Sequence, residues 1–146
     1  MEFDLFKDKF TIKDAKQLNP LVLAFIGDAV YEVFIRTLLV DNNRNMCVHK
    51  LHVNAIEHVK AHGQSQYIKE FMPMLEEEEK YIFKRGRNAK SGTVPKNADL
   101  QEYRFATGFE ALVGFLYLTE QTERLNYMLN HIAGLNDNGG SLDYES

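Results

Sequence analysis

Along most of the chain apolar residues recur every three or four positions, and no stretch alternates apolar and polar residues over the length of a strand. That period predicts an all-α protein. The longest apolar stretch, 21–40, follows Asn19 and Pro20, a capping residue and a first-turn residue, and Asp41, Asn42 and Asn43 close it. A second helix is expected over 46–62, ended by Gly63, and a short third one capped by Ser65, running to Phe71 and broken by Pro73. The next carries Glu76, Glu77, Glu78 and Glu79 in its first turns and Lys84 and Arg85 at its end, an order that suits the helix dipole. Residues 86–97, with Gly86, Gly92 and Pro95, read as a long functional loop. Asp99 opens another helix, with Glu102 as capping-box partner, that runs to about Thr119, and a last amphipathic helix covers 123–135. The expected organisation is one domain over 1–135 and a flexible tail over 136–146.

Composition narrows the class without naming a function. A chain of 146 residues buries about two-thirds of its unfolded surface in one core, and 45% hydrophobic with 26% charged residues is ordinary globular usage. A single cysteine, Cys47, excludes an intramolecular disulfide and a Cys-rich zinc site, and reads as a small core residue. The first ten residues mix acids and bases and lack the apolar core of a secretion signal, so the cytoplasm is the expected location. Stretch 21–40 is long enough to cross a bilayer, but Asp28, Glu32 and Arg36 interrupt it, which favours a helix packed in protein.

A net charge of −4 argues against coating nucleic acid by bulk attraction and directs attention to local patches. Lys84, Arg85, Arg87, Lys90 and Lys96 form the dense basic cluster, with Asn88 and Ser91 beside it to contact phosphate or 2′-hydroxyl groups. His58 and His62 are one helical turn apart but lack a third ligand, so the histidines read as exposed polar positions on the second helix.

Two carboxylates stand out. Asp28, Glu32 and Arg36 are spaced four apart, so Glu32 can pair with Arg36, while Asp28 has no cation one turn away. Glu110 has Ala106, Thr107, Val113 and Gly114 as its helical neighbours and stands alone on an apolar face. Each must meet a basic side chain elsewhere, reach solvent or bind a cation. Two carboxylates from separate helices could hold one divalent ion, and oxygen ligands with retained waters suit Mg²⁺ or Mn²⁺.

The stretch Leu23-Ala24-Phe25-Ile26-Gly27-Asp28-Ala29-Val30 resembles the signature helix of the ribonuclease III catalytic domain, and Phe109-Glu110-Ala111-Leu112-Val113-Gly114 resembles its second acidic helix. Lys84-Arg85-Gly86-Arg87-Asn88-Ala89-Lys90-Ser91-Gly92 and Tyr103-Arg104-Phe105-Ala106-Thr107-Gly108 narrow the resemblance to Mini-ribonuclease III, the bacterial branch made of the catalytic domain alone. It implies the family's helical endonuclease bundle, a homodimer with two sites across the duplex, and Asp28 and Glu110 as metal-binding catalytic acids. Two departures stand against the broader family. Ala24 occupies a position that usually carries Glu, and Thr107 one that usually carries Asp, which leaves more of the ion's shell to water or phosphate.

The activity implied is Mg²⁺-dependent hydrolysis of double-stranded RNA, with Mn²⁺ able to replace Mg²⁺, leaving 5′-phosphate and 3′-hydroxyl ends. Because the expected chain has no separate RNA-binding domain, the cluster Lys84, Arg85, Arg87, Asn88, Lys90 and Lys96 is expected to grip the substrate. The resemblance further implies maturation of the ends of the large-subunit (23S) ribosomal RNA precursor, in the context of a ribosomal protein or pre-ribosome. The rival expectation is a non-catalytic RNA-binding ribosome-assembly factor on the same fold, and retention of both Asp28 and Glu110 speaks against it.

Overall fold

The computed structural model describes residues 10–59, 61–90, 94, 96, 97 and 99–138, and among these every regular element is helical. The elements are α1 (Ile12–Gln17), α2 (Pro20–Asn42), α3 (Val48–Val59), α4 (Ala61–Phe71), a 3₁₀ turn (Met72–Met74), α5 (Glu77–Asn88), α6 (Leu100–Leu118) and α7 (Thr122–Asn138). The expected all-α class holds. No helix among the described residues is long and apolar enough to cross a membrane.

Helix α6 is the axis of the bundle. It packs most extensively on α2, then on α5 and α4, with α7 and α1 adding smaller contacts. Its sequence is apolar almost all round, as a central helix must be, and Phe109 with Ala111, Leu112, Val113, Gly114, Phe115 and Leu116 is buried. Asp99 starts it as expected, its carboxylate accepting from the backbone N–H groups of Gln101 (2.9 Å) and Glu102 (3.1 Å). Asn19 likewise accepts from Leu21 N–H at 2.8 Å, with Pro20 in the first turn of α2. At the other end of α2, the Asn43 amide donates to the Leu39 carbonyl at 3.1 Å.

Four expectations are corrected. Gly63 does not end a helix: it lies inside α4, which is described from Ala61 to Phe71. Ser65 is no cap but a buried residue of that helix, because packing of α4 against α6 outweighs weak local signals. Cys47 is exposed rather than part of the core. Gly86 lies inside α5, which continues to Asn88, so Arg87 and Asn88 join Lys84 and Arg85 on a helix rather than opening a loop. The reason is close packing, since a Cβ on Gly86 would lie 2.8 Å from the Ala111 Cβ and 2.9 Å from the Gly108 Cα.

Two features were not foreseen. Helix α1 is capped by Thr11, whose hydroxyl accepts from Asp14 N–H at 3.1 Å, and only Ala15 within it is buried. Helix α7 runs to Asn138, past the expected end of the domain, and the remaining tail, 139–146, lies outside the described residues. The α6–α7 turn is a Schellman-type closure, with Gln121 N–H donating to the Leu116 carbonyl at 2.9 Å and Glu120 held at φ 55°.

Candidate active site

The site begins where α2 crosses α6 with almost no space between them. A Cβ on Gly27 would lie 1.7 Å from the Glu110 carbonyl oxygen, and one on Gly114 would lie 2.0 Å from that of Leu23. Only glycine lets the backbones approach this far. Asp28, next to Gly27, and Glu110 are thereby brought to one place from residues 82 apart in the chain.

Their electrostatics follow from that proximity. Burial first, and then the charge of Asp28, raise the Glu110 carboxyl from its ordinary 4.5 to about 8. Asp28 lies on the exposed side of α2, yet the protein surface around it raises its carboxyl as well, with Glu32 adding to the effect. Glu32 is itself paired with Arg36 at 2.6 Å, as its spacing predicts. Neither Asp28 nor Glu110 has a cationic partner among the described residues. Two carboxyls held together without a cationic partner among the described residues form a donor set that, when both are ionised, fits a divalent cation with oxygen preference.

The two positions where the wider family carries additional acids contribute no ligand. Ala24 is buried in the core, and the Thr107 hydroxyl donates back to the Tyr103 carbonyl at 2.9 Å. Among the described residues no group of three or more His, Cys, Asp or Glu converges.

Residues of α4 complete the wall behind Glu110, and none of them was singled out by sequence. The Gln64 side chain lies toward this carboxyl, where its amide N–H group favours the charged form, but its buried Nε2 is not in ordinary hydrogen-bond geometry with any acceptor. Tyr31 of α2 is buried, stacks edge-on against Phe109 with ring centres 5.1 Å apart, and bonds Tyr67 of α4. Burial pushes its phenol well above the ordinary range, with Tyr67 and Glu110 adding to the shift. By periodicity alone Gln64 and Tyr67 are ordinary helix residues; only the α4–α6 packing gives them meaning.

The basic residues divide into two groups. Lys84, Asn88, Lys90 and Lys96 are exposed, and Arg87 is half-buried, with its guanidinium 5.9 Å from the Phe83 ring centre and its Nε donating to Asn88 at 3.2 Å. Arg85 is placed differently. Its guanidinium donates to the carbonyls of Lys16 and, at 3.1 Å, Leu18, tying α5 to the end of α1. Ser91 lies outside the described residues. A cleft of about 370 Å³ opens where α5 ends and α6 begins, lined by Ala89, Lys90, Tyr103, Arg104 and Thr107 among others. Arg104, exposed on the cleft and six residues before Glu110, belongs to a stretch that carries the family resemblance but is not counted with the basic cluster.

Comparison with known proteins accords with this geometry. Residues 21–121 match the model of the ribonuclease III domain. The Mini-ribonuclease 3 of Clostridium tetani is 53% identical over 128 residues, covering 88% of this chain and 85% of its own. That of Enterococcus faecalis is 48% identical over 121 residues, covering 82% and 91%. A crystal structure of a Fusobacterium nucleatum protein superposes with a TM-score of 0.73 at 32% identity, covering 81% of this chain and 93% of that one. The family match spans α2 through α6 and the turn that follows it, which includes the Gly27–Glu110 crossing and both acids, and the chain belongs to the ribonuclease III domain family, grouping within it with the Mini-ribonuclease 3 proteins.

Proposed function

We propose that this endoribonuclease, specific for double-stranded RNA, works with Mg²⁺, replaceable by Mn²⁺, held between Asp28 and Glu110. The observation that carries the reading is the Glu110 carboxyl, raised to about 8 beside Asp28 with no cationic partner among the described residues. Perturbed carboxyls of this kind concentrate at functional sites. When bound, the ion supplies a nucleophile from water at neutral pH and offsets charge on the scissile phosphate. Asp28 and Glu110 would provide the oxygen ligands, Glu110 in its deprotonated form. Cleavage leaves 5′-phosphate and 3′-hydroxyl ends.

Substrate binding is assigned to Lys84, Arg87, Asn88, Lys90 and Lys96, joined by Arg104. Lys84, Arg87 and Asn88 stand on α5, Lys90 and Arg104 line the cleft beside α6, and Lys96 is exposed between the two helices, an arrangement suited to backbone phosphates rather than bases. Arg85 is assigned a structural part, because its donors are committed to carbonyls near α1.

Two copies pair through the outer face of α2 in this reading. Val22, Phe25, Val33 and Val40 recur at helical spacing and are exposed, Phe25 at 80% and Val33 at 65%. An apolar stripe of that kind on a small protein favours a partner. Maturation of the large-subunit (23S) ribosomal RNA precursor, in a cytoplasmic pre-ribosomal setting that includes a ribosomal protein, is the cellular role proposed.

The test incubates labelled duplex RNA, and the matching duplex DNA, with wild type, Asp28→Asn or Glu110→Gln, in Mg²⁺ or in EDTA. Mg²⁺-dependent cutting of RNA alone, lost in both variants, is expected. Undiminished cutting by either variant, or in EDTA, would remove the two-acid metal site.

A further inference from the structure

Gln64 is 1% exposed, yet its side-chain Nε2 makes no hydrogen bond. A buried N–H₂ group left without an acceptor costs about 1–3 kcal/mol, and a leucine or methionine would fill the same volume at no such cost. An orphaned donor at a catalytic carboxyl calls for an explanation beyond packing. The position supplies one. Gln64 lies in α4 where that helix packs on α6, and its amide faces Glu110 rather than the remaining core. The Glu110 carboxyl has two oxygens, four acceptor sites and no cationic partner among the described residues.

We infer that Gln64 is a positioning residue for Glu110: in the ion-loaded enzyme its Nε2 donates to one carboxylate oxygen and leaves the other oxygen turned toward the cation. This rests on the proposed metal site. It also explains how two protein carboxylates suffice where Ala24 and Thr107 supply none. With few ligands, the orientation of each one matters more, and hydrogen bonds to ligating carboxylates are a general means of fixing it. Glu110 enters the site from the most buried helix, so its backbone is rigid, and the remaining freedom lies in its side-chain torsions. A donor on a neighbouring helix removes that freedom.

The experiment measures Mn²⁺ affinity of the RNA-free protein by calorimetry, with thermal melting and steady-state cleavage alongside, in wild type, Gln64→Leu, Gln64→Met and Glu110→Gln. Replacing a hydrogen-bond partner of a metal ligand weakens affinity about 10- to 100-fold. Gln64→Leu and Gln64→Met are therefore expected to bind Mn²⁺ at least tenfold more weakly. Their melting temperature without metal should be unchanged or higher, and kcat should fall while KM for RNA stays put. Two variants of different shape guard against a local misfit, since one folded variant suffices. Wild-type Mn²⁺ affinity in a folded Gln64 variant, with Glu110→Gln impaired, overturns the inference and leaves the metal site standing. Wild-type affinity in Glu110→Gln as well overturns both.

Discussion

Gly27 of α2 lies against the backbone of Glu110 in α6 so closely that a Cβ would come within 1.7 Å of the Glu110 carbonyl oxygen. One contact therefore fixes both the packing of the core and the meeting of the two acids. Gly27→Ala must push the helices apart, at a cost of about 3 kcal/mol or more, at the upper end for an overpacked core. The expected melting temperature falls by on the order of 10 °C. Cleavage at temperatures where the variant is still folded should drop more than tenfold, because Asp28 moves off Glu110. A variant that melts like wild type and cuts at the wild-type rate would show that the crossing does not set the site.

Glu110 makes the stability of the ion-free protein depend on pH. Its folded value, about 8, exceeds its ordinary 4.5, so the folded protein holds the proton more tightly than the unfolded chain does. That preference supports the fold fully below about 4.5, shrinks as pH rises, and is gone above about 8. Glu110→Gln lacks this loss. In EDTA the variant should gain on wild type across that window and be more stable at pH 9 by a few kcal/mol, roughly 1–4 after discounting for partial exposure. Denaturant unfolding at several pH values reads the difference, and a gap that does not vary with pH would show that Glu110 titrates normally.

Salt dependence of RNA binding separates the basic residues. Replacing Lys84, Arg87, Lys90 or Lys96 by Ala is expected to lower the slope of log affinity against log salt by about one for each phosphate no longer neutralised, with little change in melting. Arg85→Ala should behave in the opposite way. It strands the carbonyls of Lys16 and Leu18 and so costs stability, about 1–3 kcal/mol, with an unchanged slope. Filter binding and melting curves on the same preparations decide the assignment.

Val33 lies on the outer, exposed face of α2, whereas Glu110 is carried by the buried α6. Val33→Glu should yield a monomer in sedimentation equilibrium that folds normally, because 65% of its surface is already in water. A dimer that survives this change places the partner surface elsewhere.

Much of the architecture was legible because it is local. Asn19, Pro20 and Asp99 cap their helices as their chemistry dictates, and Glu32 finds Arg36 one turn on. Asp28 and Glu110 were conspicuous for the same reason, as acids without neighbours to satisfy them. What stayed hidden depends on residues far apart in the chain. Gly86 reads as a loop signal until Gly108 and Ala111 are seen against it, and Ser65 reads as a cap until α6 buries it. Gln64 and Arg104 carry no periodic or spacing signature, and only the assembled bundle places them beside Glu110 and the cleft. Phe25, an apolar residue of the longest apolar stretch, faces water.

Because α6 is buried from Phe109 to Leu116, apart from the partly open Glu110, its central amides belong to the last part of the protein to exchange hydrogen with solvent. The acid it carries sits on that most protected helix, whereas Lys90 and Lys96 are exposed and stand outside the helices, after the end of α5. The contacts proposed for Lys90 and Lys96 with a duplex can therefore adjust without disturbing the Asp28–Glu110 pair.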